Sequence, residues 1–229
     1  DVCADPAVDI IYISTPHNTH IQFLRKALAA DKHVLCEKSI TLNSEELEEA
    51  VQLLIGDIPI SDYVVTNRSS MTEINDLVGG VTVTVPNNDL AAKHPDLKEG
   101  SVVTLDDSNI EDFLRYRDIH TDFSNEGRIQ RQQAYITAYI SQFKELLQTD
   151  LESAWTQSQE MTDHLQTSIT KSKYLGLAKL LESVSFTDAD YYRPEGTDQL
   201  GDLHDEFYLD EDNMEKLIID LFYEPVSQM

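Results

Sequence analysis

Cysteine and basic residues are both scarce in this 229-residue sequence, and each scarcity argues against a class of protein. Cys3 and Cys36 are its two cysteines, and they form no CxxC pair, so neither a disulfide framework nor a zinc site is indicated. No apolar run approaches the roughly twenty residues that a membrane-spanning helix needs. We therefore expect a protein without structural disulfides or metal, located in a reducing cytoplasm.

Basic residues are outnumbered, with 17 Lys or Arg against 42 Asp or Glu and a formal net charge of -25. Such a charge repels phosphate backbones and anionic lipid, so we expect neither nucleic acid nor a membrane surface as a partner. The last 44 residues, 186–229, are especially acidic, with thirteen Asp or Glu and two basic residues. A hydrophobic content of 41% is nevertheless enough to form a core.

Apolar patterning in the first quarter predicts alternating strands and helices. Residues 8–14 (VDIIYIS) and 33–37 (HVLCE) are short apolar runs typical of fully buried parallel strands. Each is followed by a segment whose apolar residues recur at helical spacing. The order strand, helix, strand, helix predicts βαβ units and a parallel, Rossmann-like sheet.

Polar residues mark where both helices begin. Asn18 or Thr19 can cap the first helix, which we expect to end near Asp31. Asn43 or Ser44 can cap the second.

Polar side chains also follow each strand directly. Thr15 and Pro16 come after the first strand, and Glu37 and Lys38 end the second. Ligands of open parallel sheets bind outside the carboxyl ends of the strands. The sequence therefore predicts one functional rim made by the ends of both strands.

Beyond Gly56 the pattern changes, and the whole chain reads as an α/β protein in three parts. Residues 1–55 form the partial Rossmann-like βαβα segment, and residues 56–125 a small mixed β-prone region containing a sheet. Residues 126–229 are predicted to be helix-rich with an acidic C-terminus. The apolar stripes predict two long helices, followed by a final helix that Asp210 or Asp212 caps and that ends at Phe222. The first stripe is Ile129, Ile136, Ile140, Phe143, Leu147 and Leu151, and the second is Met161, Leu165, Ile169, Leu177, Leu181 and Val184.

One stretch in the first quarter carries a family resemblance. The segment VDIIYISTPHNTHIQFLRKALAADKHVLCEKSITLNSEELEEAVQLL resembles the Gfo/Idh/MocA family of NAD(P)-dependent oxidoreductases. The matching features are the strand ending in Ser-Thr-Pro, a histidine four residues later, the ALAADKHVLCEK connection and the Glu-rich helix. They occur in fixed order between residues 3 and 55.

The resemblance implies a cofactor site and a reaction. Thr15, Pro16, His20 and Glu37 would border NAD or NADP, and Lys38 would be the catalytic group of a hydride transfer to or from a secondary alcohol. The implied substrate is a small sugar or polyol, and a homo-oligomer is left open. The family usually has proline after the lysine, where this chain has Ser39.

One family feature is absent from these residues. The glycine-rich GxGxxG loop cradles the cofactor pyrophosphate, yet the first glycine of the sequence is Gly56.

An alternative interpretation places the function of the protein in residues 126–229. They would form a helical protein-interaction or histidine phosphotransfer module without redox activity, with His164 as the candidate phosphoacceptor. For the catalytic histidine and nearby aspartate of the oxidoreductase family, the stretch YRDIHTDF offers Asp118, His120 and Asp122, but their spacing does not match the family motif.

Overall fold

The computed structural model describes residues 2–36, 43–118, 120–121, 124–160, 165–201 and 205–224. The chain divides into two compact units, which we describe separately. The first contains residues 1–65 and the segment from 215 onward, and the second contains residues 66–214. The three-part division expected from composition stays a prediction.

The first unit has the predicted order of elements. Strand β1 (Ile10–Ile13) leads to helix α1 (His20–Leu28), then to strand β2 (His33–Cys36) and helix α2 (Ser44–Leu54). The two strands pair in parallel, with Ile10 opposite His33. The α/β class and the parallel pairing are therefore confirmed for this segment.

Local chemistry fixes the ends of these helices. The Asn43 side chain accepts a hydrogen bond from the Glu46 backbone N–H at 2.8 Å and so caps α2 as predicted. Thr19 stands at the N-cap of α1, but its hydroxyl donates instead to the Pro16 carbonyl at 2.7 Å. The chain turns into β2 at Asp31, whose φ of 54° lies in the left-handed region.

The prediction that both strands are fully buried is wrong. Ile10, Tyr12 and Leu35 are 63%, 56% and 61% exposed. Side chains alternate along a strand, and both helices pack on the same face of this two-stranded sheet. The covered face is built from Ile13, Ile21, Leu24 and Ala50, with Ile11, Val34 and Cys36 packed against them.

The second unit contains the predicted small sheet, which is antiparallel. The elements from its start are β3 (Val64–Thr66), which spans the boundary between the units, α3 (Ser70–Leu77), β4 (Thr82–Thr84), β5 (Val102–Thr104) and α4 (Ile110–Arg115). Strands β4 and β5 pair antiparallel, with Val83 opposite Val103. The core beneath them consists of Val81, Val83, Val85, Leu90, Leu97, Leu105, Ile110, Phe113 and Tyr135.

A buried amide joins the elements of this core. Asn75 of α3 is fully buried, and its Nδ2 donates to the Leu105 carbonyl at 2.8 Å. Its Oδ1 accepts from the Val81 backbone N–H at 3.0 Å. One side chain therefore satisfies a backbone group next to each of the two paired strands, β4 and β5.

The long helix predicted from the first apolar stripe is α5 (Asn125–Glu160), followed by β6 (Leu165–Thr167) and α6 (Lys171–Ser183). Helix α6 returns antiparallel along α5, since Lys171 pairs with Glu152 while Lys144 donates to the Val184 carbonyl. The predicted second helix is wrong over Leu165–Thr167, which is strand β6. Met161 lies outside the described residues.

A β-hairpin lies where the sequence predicts none. Strands β7 (Gly196–Leu200) and β8 (Asp205–Leu209) pair antiparallel, although every residue of β7 is exposed. Backbone pairing, and not burial, defines this element, so the apolar pattern carries no signal for it. The predicted final helix is α7 (Glu211–Phe222), with Asp210 accepting from the Asn213 backbone N–H at 3.0 Å.

Short 3₁₀ turns complete the described elements at Val2–Ala4, His17–Thr19 and Asp188–Asp190. In the part of the chain that the structure describes, no helix is both long and apolar enough to cross a membrane.

The Asn75 amide gives a stability prediction. Asn75→Leu should lower the free energy of unfolding by roughly 2 to 4 kcal/mol, because the Leu105 carbonyl and the Val81 N–H lose their partner in the core. Urea denaturation measures the change. Asn88→Ala is the matched control, since Asn88 bonds Glu99 at the surface, where water can replace it. Equal losses for both variants would contradict the assignment.

Candidate functional site

A buried arginine anchors the start of helix α5. Arg131 is fully buried, and its Nε donates to the Phe113 carbonyl at 2.9 Å. One terminal nitrogen contacts Asp89 Oδ2 at 2.6 Å and Asn87 Oδ1 at 3.2 Å, and the other donates to the Tyr116 carbonyl. The first turns of α5 are thereby fixed to the end of α4 and to the loop after β4.

A glycine makes room for this ion pair. A Cβ at Gly127 would lie 2.0 Å from Asp89 Oδ2, well inside the closest permitted contact. The Asn87 Nδ2 also donates to the Gly127 carbonyl at 2.9 Å, which holds the loop against the helix. Gly127 is therefore required by the close approach of the Asp89 carboxylate.

Arg128 lies one turn before Arg131 and is partly buried. One terminal nitrogen donates to the Asn125 side-chain oxygen. Its Nε is buried, and no described residue accepts a hydrogen bond from it. A buried guanidinium N–H is costly to leave unsatisfied, so an acceptor that reached this nitrogen would be stabilising.

A cavity of about 160 Å³ opens beside this arginine. The cavity is lined by α5, by the segment before it and by the β7–β8 hairpin. The lining residues are Arg117, Asn125, Glu126, Arg128, Arg193, Asp198, Glu206 and Phe207. All of them belong to the second compact unit.

Ion pairs and hydrogen bonds occupy part of this lining. Arg193 donates to Glu126 Oε2 at 2.7 Å, and the Arg117 Nε donates to the Ser124 hydroxyl at 2.9 Å. Tyr208 donates its hydroxyl proton to Glu206 at 2.7 Å, and this bond raises the pKa of the tyrosine. Within the described residues, Arg128 has no carboxylate partner among its hydrogen bonds and ion pairs.

Three arginines line the cavity together with three carboxylates, and the arginines are the groups that an anion would contact. Arg128 supplies an unsatisfied donor, and the lining includes Asn125 and Glu126 at the N-terminus of a 36-residue helix. Helix N-termini attract anions through their free N–H groups and dipole, and guanidinium groups match the oxygens of phosphate. No cluster of three or more potential metal ligands occurs among the residues described.

Three of the five residues predicted to form the cofactor rim are described. Thr15 and Pro16 lie at the carboxyl end of β1, as expected. His20 is fully buried in α1, with its Nε2 donating to the Thr15 carbonyl at 2.7 Å. Glu37 and Lys38 lie outside the described residues, so their predicted roles stay predictions.

Of the remaining sequence candidates, the described residues Asp118 and His120 do not line the cavity. Asp118 accepts from the His120 backbone N–H at 2.9 Å and from the Thr121 hydroxyl at 3.0 Å. These bonds lower the pKa of Asp118 and keep its carboxylate within its own loop. Asp122 and His164 lie outside the described residues.

Sequence reasoning missed the arginine-lined cavity. A signal was available, because four arginines fall between residues 115 and 131 of a strongly acidic chain, in RYRD and GRIQRQQ. Their significance depends on which of them is buried. Arg131 is an anchor, whereas Arg117 and Arg128 line the cavity.

Comparison with family sequence models divides the chain unequally. The LytR_cpsA_psr family model matches residues 43–220. The oxidoreductase family with an NAD-binding Rossmann fold, Gfo/Idh/MocA, matches residues 1–56. The resemblance noted in the sequence is thus confirmed, and residues 1–56 are a Gfo/Idh/MocA segment. Helix α2 falls within both matches.

Curated relatives match the first segment. D-xylose 1-dehydrogenase (NADP(+)) of Hypocrea jecorina is 44% identical over 52 residues, which are 23% of this chain and 13% of that enzyme. The 1,5-anhydro-D-fructose reductase of Ensifer adhaerens is 39% identical over 51 residues, 22% of this chain and 15% of that enzyme. The chain therefore spans less than a sixth of either relative.

Solved structures resemble a far larger part of the chain. TagV of B. subtilis has a TM-score of 0.59 and 21% identity, covering 80% of this chain and 72% of TagV. A transcriptional regulator (EF0465) from Enterococcus faecalis also has a TM-score of 0.59, at 19% identity, covering 86% and 67%. TagT bound to LIIa-WTA has a TM-score of 0.55 at 19% identity, covering 77% and 66%. At these identities the likeness concerns the fold.

The close approach of Asp89 to Gly127 predicts that Gly127→Ala destabilises the wild-type protein but stabilises a variant without the Asp89 carboxylate. Gly127→Ala should lower the free energy of unfolding by about 1 to 3 kcal/mol, because the new Cβ displaces Asp89 from the buried Arg131. In an Asp89→Ala background the same substitution should stabilise by up to about 1 kcal/mol, the ordinary helical preference for alanine. Thermal and urea unfolding of the four proteins test this. A destabilisation of equal size in both backgrounds would refute the steric explanation.

Proposed function

The chain belongs to the LytR_cpsA_psr family, and on that premise we propose that its arginine-lined cavity binds the phosphate group of a small-molecule ligand. The observation that carries this proposal is Arg128, whose buried Nε has no acceptor among the described residues. A phosphate bound beside Arg128 would supply that acceptor once the side chain shifts to expose the Nε.

Arg128 and Arg117 would make different contributions to phosphate binding. Arg128 contributes its guanidinium group, whose plane is fixed by the hydrogen bond from one terminal nitrogen to Asn125. Arg117 adds a second cation, oriented by its bond to Ser124. Bidentate arginine contacts to phosphate are stronger than neutral hydrogen bonds and impose a defined geometry.

The size of the cavity supports a small phosphorylated compound as the ligand. A volume of about 160 Å³ accommodates a phosphate with a small attached group. TagT, which shares the fold, was solved bound to LIIa-WTA and to LI-WTA. Guanidinium groups held against a phosphate also stabilise the charge that develops in phosphoryl transfer, so the cavity is compatible with a transferase reaction.

Calorimetric titration with inorganic phosphate and with glycerol phosphate tests the binding proposal. We expect saturable binding that Arg128→Gln weakens about ten- to hundred-fold, as the loss of a charged hydrogen-bond donor predicts. Arg68→Gln is the control, because Arg68 is an exposed arginine that pairs with Glu111 and does not line the cavity. Equal affinities for the wild-type chain and Arg128→Gln would reject the site.

The match at residues 1–56 favours a second candidate function. We propose that this segment contributes one rim of a nicotinamide cofactor site, with Thr15, Pro16, His20 and Glu37 bordering NAD or NADP. Lys38 would be the catalytic group for hydride exchange with a secondary alcohol of a sugar or polyol. The name of the xylose dehydrogenase relative includes NADP(+), which supports the NADP alternative.

The described residues provide only some of the features of a nicotinamide cofactor site. His20 is buried and bonded to Thr15, so its polar ring is directed into the turn after β1. The segment contains no glycine before Gly56, so it supplies no glycine-rich cradle for a pyrophosphate. The described part of the rim therefore supports a role in binding the cofactor.

Titration with NADH and NADPH, followed by cofactor fluorescence, tests the rim. Binding should be saturable and should weaken at least several-fold in Lys38→Ala, which removes a cation from the predicted rim. Lys32→Ala is the matched control, since Lys32 bonds the Asp5 carbonyl at 3.2 Å outside the rim. The absence of binding at millimolar cofactor would reject the cofactor site, and the segment would then share only its sequence with the oxidoreductases.

A further inference from the structure

An ion pair stands among the lining residues of the arginine cavity. Arg193 precedes β7, and Glu126 is the second residue of α5. Their contact, from the Arg193 terminal nitrogen to Glu126 Oε2, is 2.7 Å long. The two side chains are 42% and 50% exposed. Both groups therefore border the cavity while remaining open to solvent.

Such a pair is easily exchanged. Exposed ion pairs contribute little to stability, because water and salt screen both charges. A phosphate carries up to two negative charges and offers three oxygens, so it competes well with one carboxylate for a guanidinium. The competition is more favourable still when a second arginine, Arg128, contacts the same phosphate.

Arg193 has a second contact that does not depend on Glu126. Its guanidinium carbon lies 5.5 Å from the centroid of the Phe207 ring, within the range of a cation–π interaction. Phe207 belongs to β8 and lines the same cavity. The ring can therefore hold the guanidinium at the cavity after the carboxylate has been released.

We propose that Arg193 is a phosphate-binding residue that exchanges Glu126 for the ligand, so that Glu126 acts as an internal competitor for the site. This inference rests on the proposed phosphate-binding function. It gives the β7–β8 hairpin a role in the affinity for phosphate. Arg193, next to β7, is the third arginine of the cavity, and Phe207 of β8 holds its guanidinium there. Ligand binding opens the Arg193–Glu126 pair and joins the hairpin to α5 through the phosphate.

A double-mutant cycle with inorganic phosphate tests the exchange. Glu126→Gln should tighten binding about three- to ten-fold, because the competitor is removed, and Arg193→Gln should weaken it about ten-fold. In the Arg193→Gln background, Glu126→Gln should have almost no effect. Neither substitution removes a core contact, and circular dichroism establishes that each variant is folded.

Asp198→Asn separates competition from a general change of charge. Asp198 lines the cavity, and its substitution removes one negative charge, as Glu126→Gln does. If charge alone matters, both substitutions should tighten binding equally, and each should do so with or without Arg193. That additive result overturns the exchange.

The outcomes distinguish this inference from the proposed function. Phosphate binding that depends on Arg128 but gives an additive cycle rejects the exchange and retains the site. The absence of phosphate binding, or binding indifferent to Arg128→Gln, rejects the site and the exchange together. A non-additive cycle together with dependence on Arg128 supports both.

Discussion

The second unit depends on one buried cation. The Arg131 guanidinium is fully enclosed, and its hydrogen bonds join the end of α4, the loop after β4 and the first turns of α5. A buried charge is tolerated only when it is paired and hydrogen-bonded, so these partners must keep their positions together. Gly127 is a consequence of the same constraint, because Asp89 occupies the space that a side chain would need.

The candidate site follows from that anchor. Arg128 is three residues before Arg131 and shares its helical turn, so fixing one guanidinium in the core places the other beside the cavity. The attraction of an anion there must act at short range, since the chain as a whole carries a formal charge of -25. Screening limits long-range repulsion to about 8 Å at physiological ionic strength, whereas contact with a partly buried guanidinium is little affected.

The first unit could be predicted because its signals are local. The β1–α1–β2–α2 order follows from apolar spacing and from a cap at Asn43, each contained within a few residues. Burial was predicted wrongly for Ile10, Tyr12 and Leu35, because the apolar pattern cannot reveal how many faces of a sheet are covered. The β7–β8 hairpin was missed for the opposite reason, since an exposed pair of strands needs no apolar pattern.

The sequence alone determined the Gfo/Idh/MocA segment, the parallel strand pair and the long helix α5, because recurring spacings and a fixed order of motifs encode them directly. It also revealed a group of arginines in an acidic chain. Only the tertiary structure decided which arginine is an anchor and which faces a cavity, and that Arg193 joins them from a distant hairpin. Burial and pairing depend on contacts between residues far apart in the chain, and no local pattern records them.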